Sequence, residues 1–228
     1  PAEIAARPER SAGIYHSYEY LPGPAAPVPA GYEPFYISHY GRHGSRYHSK
    51  EKAYAQPLDA LRRAAGAGKL TPKGQEVLAK VEALAEDARL RYGDLSPRGT
   101  AEHRGIAERM YAAYPGVFST DGGCVCRVES RSTLVPRCIL SMAAFNERLK
   151  ELNPEIRMTR ESSQRYIPYM SNGAGLNSQR KASGAVADSL QDARTHPARL
   201  MASLFSDPAF VERAVSYTHL TLPTNSLV

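Results

Sequence analysis

Apolar and polar positions along this chain change their period repeatedly, and each change predicts an element. Phe35-Tyr36-Ile37-Ser38-His39-Tyr40, aromatic and β-branched, predicts a buried strand. Leu70-Thr71-Pro72-Lys73-Gly74 opens a helix whose buried face is Val77, Leu78, Val81, Leu84 and Ala88, spaced by three and four residues. Ser96 and Pro97 punctuate the next helix, with Ile106, Met110 and Ala113 as its apolar stripe. In 125–130 the residues Val125, Arg127 and Glu129 alternate with Cys126, Val128 and Ser130, the period of a short strand. A helix follows, with Ser132 or Thr133 as expected N-cap and Pro136 tolerable in its first turn. It runs through Leu149 to about Leu152 and stops at Asn153-Pro154. Residues 156–159 read as another short strand, 171–175 as a polar loop, and 185–204 as a helix with a kink at Pro197. Ser206-Asp207-Pro208 opens a further helix. Strands alternating with helices in this way read as an α/β fold.

The densest chemistry follows the first predicted strand. Arg42-His43-Gly44-Ser45-Arg46 puts an imidazole between two guanidiniums, and Gly41 and Gly44 let the backbone turn tightly and approach a ligand. A neutral imidazole is a nucleophile toward phosphorus, and an ordinary value of about 6.5 leaves much of it neutral at physiological pH. Guanidiniums bind phosphoryl oxygens as a bidentate fork and counter the charge that builds on them. His39 and His43 are four apart, but on a strand and a turn rather than a helix, and no Glu follows His39 as in a zinc protease helix. A solvated basic loop is the competing reading of composition. Placement at the carboxyl end of a predicted strand favours a ligand site. His103, in mid-helix beside Arg104, reads as structural or solvated and is assigned no chemistry.

Ser38-His39-Tyr40-Gly41-Arg42-His43-Gly44-Ser45-Arg46-Tyr47 resembles the signature of the histidine phosphatase superfamily, and its second Arg the acid phosphatase and phytase branch rather than the phosphoglycerate mutase branch. The longer string from Pro34 is similar to bacterial relatives of multiple inositol polyphosphate phosphatase, with His48 where many phytases have Pro. The block from Ser130 to Phe145 resembles the family segment that supplies a third arginine, eight residues before a helix-buried aromatic; counting back from Phe145 gives Arg137 rather than Arg131. The resemblance spans about Tyr15 to about Val215 and includes the helix at Pro97. It implies a three-layer α/β/α sheet core with a helical cap. It also implies His43 as nucleophile, with Arg42, Arg46 and Arg137 around the phosphoryl group, and hydrolysis of a small phosphorylated substrate such as an inositol polyphosphate. No metal or other cofactor is expected, three guanidiniums standing where a divalent cation would. Relatives imply a periplasmic or exported location. Tyr47 is expected to line the pocket.

The distal proton donor of that family is a His followed by Asp or by Ala-Glu, and no such pair occurs in the 228 residues. His196 precedes Pro197 and His219 precedes Leu220. The chain as it stands is therefore expected to carry the nucleophile and arginines without the general acid, and to be nearly inactive. Ser216 onward contains no Lys, Arg, Asp or Glu, and that stretch resembles a translated sequencing adapter. The expectation is a native sequence that differs past about Val215, a natural tail being the alternative. The expected organisation is a Pro-rich arm over 1–32, a phosphatase core over 33–160, the start of a helical cap insertion over 161–215, and the suspect tail over 216–228. Tyr15, Tyr18 and Tyr20 are expected to pack the arm onto the body.

A net charge of +6 favours anionic ligands, but the basic residues are scattered rather than massed, which argues against nucleic acid. No apolar run resembles a signal peptide or a membrane span. Cys124, Cys126 and Cys138 show neither zinc spacing nor a disulfide framework, and each reads as a small buried hydrophobe. Two other function classes stay open: a phosphomutase or phosphotransferase using the same histidine, and a non-catalytic phosphate-binding module.

Overall fold

The computed structural model describes residues 2–7, 12–13, 15–21, 23, 28–170, 198–207 and 209–210. The polar loop at 171–175, the part of the predicted 185–204 helix before 198 and the tail beyond 215 fall outside them. The chain divides into two compact units, Pro1–Arg46 with Leu95–Tyr166 and Tyr47–Asp94 with Ile167–Val228.

The first unit is built on a β-α-β segment. Strand β1, Arg127–Ser132, and strand β2, Arg157–Ser162, pair in parallel with Arg127 opposite Arg157 and Ser132 opposite Ser162. A parallel pair needs a long crossover, and here it is a helix, Pro136–Leu152. This helix packs against another, Pro97–Ala113. Between them lies a core of Ala107, Phe118, Cys126, Leu149 and Ile156, with Met110, Val128, Phe145 and Met158 partly buried against it. Ser96 caps Pro97–Ala113 by accepting from the Gly99 N–H at 3.2 Å, as its place before Pro97 predicts. Tyr18 and Tyr20 lie under the Arg109 guanidinium, which stands 4.6 Å from the Tyr20 ring centre. The helix Pro136–Leu152 starts later than predicted. β1 extends through Ser132, whose hydroxyl pairs with that of Ser162, so Val135 becomes the N-cap and makes no side-chain cap bond.

The stretch 35–40 is extended but is not a strand of the sheet, whose order among the described residues is β1-β2. Phe35 is 90% exposed, Tyr36 73% and Tyr40 70%, against the burial their residue types predict. Strand-forming side chains do not make a strand without a neighbour for the backbone N–H and C=O groups. Ile37 alone of this stretch joins the core. The described architecture is thus helix-rich α/β with one small parallel sheet. Of the cysteines, none bonded, Cys126 is buried as expected, Cys138 is intermediate and Cys124 is exposed.

In the second unit the helix Pro72–Asp87 packs on the helix Lys52–Gly66 and on Ala198–Leu204. Ala60, Leu61, Ala64, Met201, Leu204 and Phe205 form its core, covered by Val77, Leu78 and Val81. Leu84, expected in that stripe, is 52% exposed, because the cluster reaches no further than Val81; Ala88 is buried again. Thr71 has two roles here. Its hydroxyl oxygen accepts from the Gly74 N–H at 3.0 Å, and its hydroxyl donates to the Ser203 carbonyl at 2.6 Å. Replacing Thr71 by Ala removes the cap and the link together and is expected to cost about 1–2 kcal/mol. Urea unfolding followed by circular dichroism measures this, and a midpoint equal to the parent's would contradict it.

Candidate active site

The segment 42–46 is held by its backbone. Gly44 lies so close to the helix Pro97–Ala113 that a Cβ on it would stand 2.4 Å from the Gly99 carbonyl oxygen. A Cβ on Gly99 would stand 2.2 Å from the Ser45 oxygen. Two glycines facing each other let main chain touch main chain. Hydrogen bonds then close round the contact. The Ser45 carbonyl accepts from the Ser96 N–H at 2.9 Å and from its hydroxyl at 2.8 Å. Arg46 forms an isolated antiparallel bridge with Leu95. The Ser45 N–H and hydroxyl both donate to the Glu102 carboxylate, each at 2.7 Å. The carbonyl of Arg42 accepts from buried His103 at 3.1 Å, which requires the proton on Nε2.

The second wall is the helix Pro136–Leu152. Arg137, Ser141 and Phe145 are spaced by four and share one face. Phe145 stacks on His39, ring centres 5.5 Å apart and planes within 6°. Ser141 accepts the Gly44 N–H at 3.1 Å. Arg137, in the first turn, acts electrostatically on the His43 ring. The eight-residue spacing between Arg137 and Phe145 is therefore two turns of helix laid along residues 39–44. A helix N-terminus is itself favourable to an anion, and Arg137 adds a full charge there.

His43 is half-buried, and its Nδ1 lies 2.9 Å from the Gly44 carbonyl oxygen. A carbonyl can only accept, so Nδ1 carries the proton and Nε2 keeps its lone pair. Burial pushes the His43 imidazole below its ordinary value; the bond to Gly44 opposes this, and the guanidiniums of Arg137, Arg42 and Arg46 add to the depression. Of the residues singled out by sequence, Arg42, Arg46 and Arg137 thus each act electrostatically on the His43 ring. Burial and these charges favour the neutral imidazole, with its lone pair on Nε2.

Tyr47, expected at the pocket, belongs to the second unit, where its hydroxyl donates to Asp87 and Arg91 lies over its ring at 4.3 Å. Sequence reading missed Glu102 and Ser141 and did not see that buried His103 supports the motif. Glu102 and His103 are adjacent on a helix whose other polar residues are exposed or half-buried, and Ser141 sits one turn from Arg137. Only their contacts reveal them.

The chain matches no protein-family model and no curated protein sequence. Among solved structures it is similar to the crystal structure of Bifidobacterium longum multiple inositol polyphosphate phosphatase in complex with inositol hexasulfate, with 25% sequence identity over 61% of this chain and a TM-score of 0.46. It is similar also to the phosphate complex of that enzyme, with 25% identity over 57% of this chain and a TM-score of 0.45. The chain spans only 30% and 26% of the length of those two structures.

Two outcomes follow from the site's construction. Gly99→Ala forces a methyl into the Ser45 carbonyl and is expected to destabilise the first unit by about 3 kcal/mol or more, read as a loss of urea midpoint. Retention of the parent midpoint would contradict the close backbone approach. Burial also lowers His39, His43 and His103 together. Between their folded values and the ordinary value of about 6.5 the unfolded chain binds more protons, so stability rises with pH and is lost on acidification below about 6.5. The thermal midpoint is expected to fall between about pH 7.5 and pH 5, and His103→Gln to flatten that slope. A midpoint independent of pH across this range would contradict the assignment.

Proposed function

We propose that this chain carries the nucleophile half of a phosphomonoesterase that works through a phosphohistidine, with inositol polyphosphates as its substrate class. The observation that carries the proposal is the state of His43. Its Nδ1 proton is committed to the Gly44 carbonyl while the charges of Arg137, Arg42 and Arg46 act on the ring. In the first step the Nε2 lone pair attacks phosphorus in line; an N–P bond forms, the P–O bond to the leaving group breaks, and the leaving oxygen takes a proton from a general acid. Arg42, Arg46 and Arg137 hold the equatorial oxygens throughout, so positioning and electrostatics supply the acceleration. Water then attacks the phosphohistidine, the N–P bond breaks, and inorganic phosphate leaves with the imidazole neutral again.

Inositol polyphosphates are favoured by the resemblance of the motif and by the net charge of +6, which raises the local concentration of a polyanion. The same reading carries the three-layer core, a cap insertion beginning near 161 and a periplasmic or exported location. In the 228 residues no His-Asp, His-Glu or His-Ala-Glu pair is present to donate the leaving-group proton. A positioned acid is worth about 10²- to 10⁴-fold, so the chain's turnover of phytate is expected to be reduced by that order.

A substrate whose leaving group needs no proton isolates the nucleophile. With 2,4-dinitrophenyl phosphate the full chain is expected to release a burst of phenolate matched by acid-labile phosphohistidine, while phytate gives little. His43→Ala abolishes both signals, and Arg137→Ala slows the burst by about 10²–10³-fold. A labelled phosphoenzyme that survives His43→Ala would overturn the nucleophile assignment. Binding of phosphate with no burst would favour the binding-module reading instead.

A further inference from the structure

We infer that Glu102 is a positioning residue for the nucleophile, which sets the tautomer of His43 by holding the peptide that joins Gly44 to Ser45. The inference rests on the phosphohistidine reading for its catalytic consequence, though not for its geometry. A trans peptide is a rigid plane in which the C=O and N–H point in opposite directions, and the described chain has no cis peptide bond. At one end of this plane the Ser45 N–H donates to Glu102 Oε2 at 2.7 Å. At the other end the Gly44 carbonyl accepts from His43 Nδ1 at 2.9 Å. The carboxylate thus anchors the plane at its donor end, and the plane aims its oxygen at the imidazole.

Other contacts show that this carboxylate is built in. Its side chain is only 9% exposed. Both oxygens are used by one residue, Oε2 by the Ser45 amide and Oε1 by the Ser45 hydroxyl at 2.7 Å. The Arg98 guanidinium, one helical turn earlier, stands 3.7 Å from Oε1. A carboxylate on the N–H also polarises the peptide and makes its carbonyl a better acceptor, as bonds in a chain reinforce one another. Ser141 holds the preceding amide, the Gly44 N–H, at 3.1 Å from the other helix. Two successive amides are therefore each pinned by a side chain from a different helix. Of the two, only the Ser45 amide shares its plane with the carbonyl that holds the ring. Loss of Glu102 leaves that plane free to rotate, and the imidazole then takes up the Nε2–H form, whose nucleophilic nitrogen is blocked.

The test reads the tautomer directly. The full chain, with ¹⁵N-labelled histidine, gives long-range ¹H–¹⁵N correlations that separate Nδ1–H from Nε2–H, with His43 assigned by its loss in His43→Asn. The wild-type ring is expected as Nδ1–H, Glu102→Ala as a mixture shifted toward Nε2–H, and Glu102→Gln, whose amide oxygen can still accept the Ser45 N–H, as Nδ1–H again. The dinitrophenyl phosphate burst is expected to slow by about 10²-fold in Glu102→Ala and to recover in large part in Glu102→Gln. If Glu102→Ala does not fold by circular dichroism, Glu102→Asp takes its place, since one methylene less draws the carboxylate back by about 1.5 Å. An unchanged tautomer in the Ala or Asp variant overturns the inference, and so does loss of the Nδ1–H form in a folded Glu102→Gln. A wild-type chain with the expected tautomer and no burst counts against the phosphatase reading alone, and the tautomer shifts then decide the role of Glu102.

Discussion

Contact between bare backbones at Gly44 and Gly99 is the constraint on which the rest of the first unit depends. A hypothetical Cβ at either position would stand well inside van der Waals distance of the other strand of chain. Because no side chain intervenes, the loop of 42–46 can be gripped by short bonds from the same helix: Ser96 on the Ser45 carbonyl, Glu102 on its amide and hydroxyl, His103 on the Arg42 carbonyl. Backbone groups held at several points cannot reorient when charge develops beside them. That is the property an electrostatic site requires, since stabilisation by fixed dipoles and charges costs no reorganisation at the moment of reaction.

The second helix works on the same segment by a different principle. Residues 137, 141 and 145 form one stripe, and each meets the motif segment with a different chemistry: charge toward His43, a hydroxyl on the Gly44 amide, an aromatic face on the His39 ring. The stacked pair fixes the height of the helix along the segment, and the hydroxyl fixes its rotation. Burial and the charges of Arg137, Arg42 and Arg46 together push His43 toward its neutral form. On the proposed reading, the oxygens of a phosphoryl group would neutralise the arginines, and its phosphorus would meet an imidazole that needs no deprotonation.

Legibility followed the range of the forces involved. Helix starts with a capping hydroxyl and Pro at the first position, Thr71-Pro72 and Ser96-Pro97, fell where they were read, because capping is decided within four residues. The start of Pro136–Leu152 was misplaced by a few residues, since β1 runs on through Ser132 to stay in register with Ser162. The helix Lys52–Gly66 drew no reading at all. It contains Pro57 and has no side-chain cap bond, and its burial against Leu204 and Phe205 is a contact across more than a hundred residues. Residues 35–40 failed in the opposite sense: their side chains favour a strand, but strand formation belongs to a pair, and no described strand lies beside them.

What the amino-acid sequence determined by itself was the identity of the candidate groups: an imidazole between two guanidiniums, and a third arginine two helical turns before an aromatic. Spacing along a chain carries that much, since neighbours within a turn or two of helix have fixed geometry. What only the tertiary structure decided was the state of those groups. The proton on Nδ1 faces the carbonyl of the adjacent Gly44, and the two amides that flank that glycine are held by residues 57 and 97 positions away in the chain, the Ser45 amide by Glu102 and the Gly44 amide by Ser141. A titratable group takes its protonation from whatever is packed against it, and packing is not written in local order.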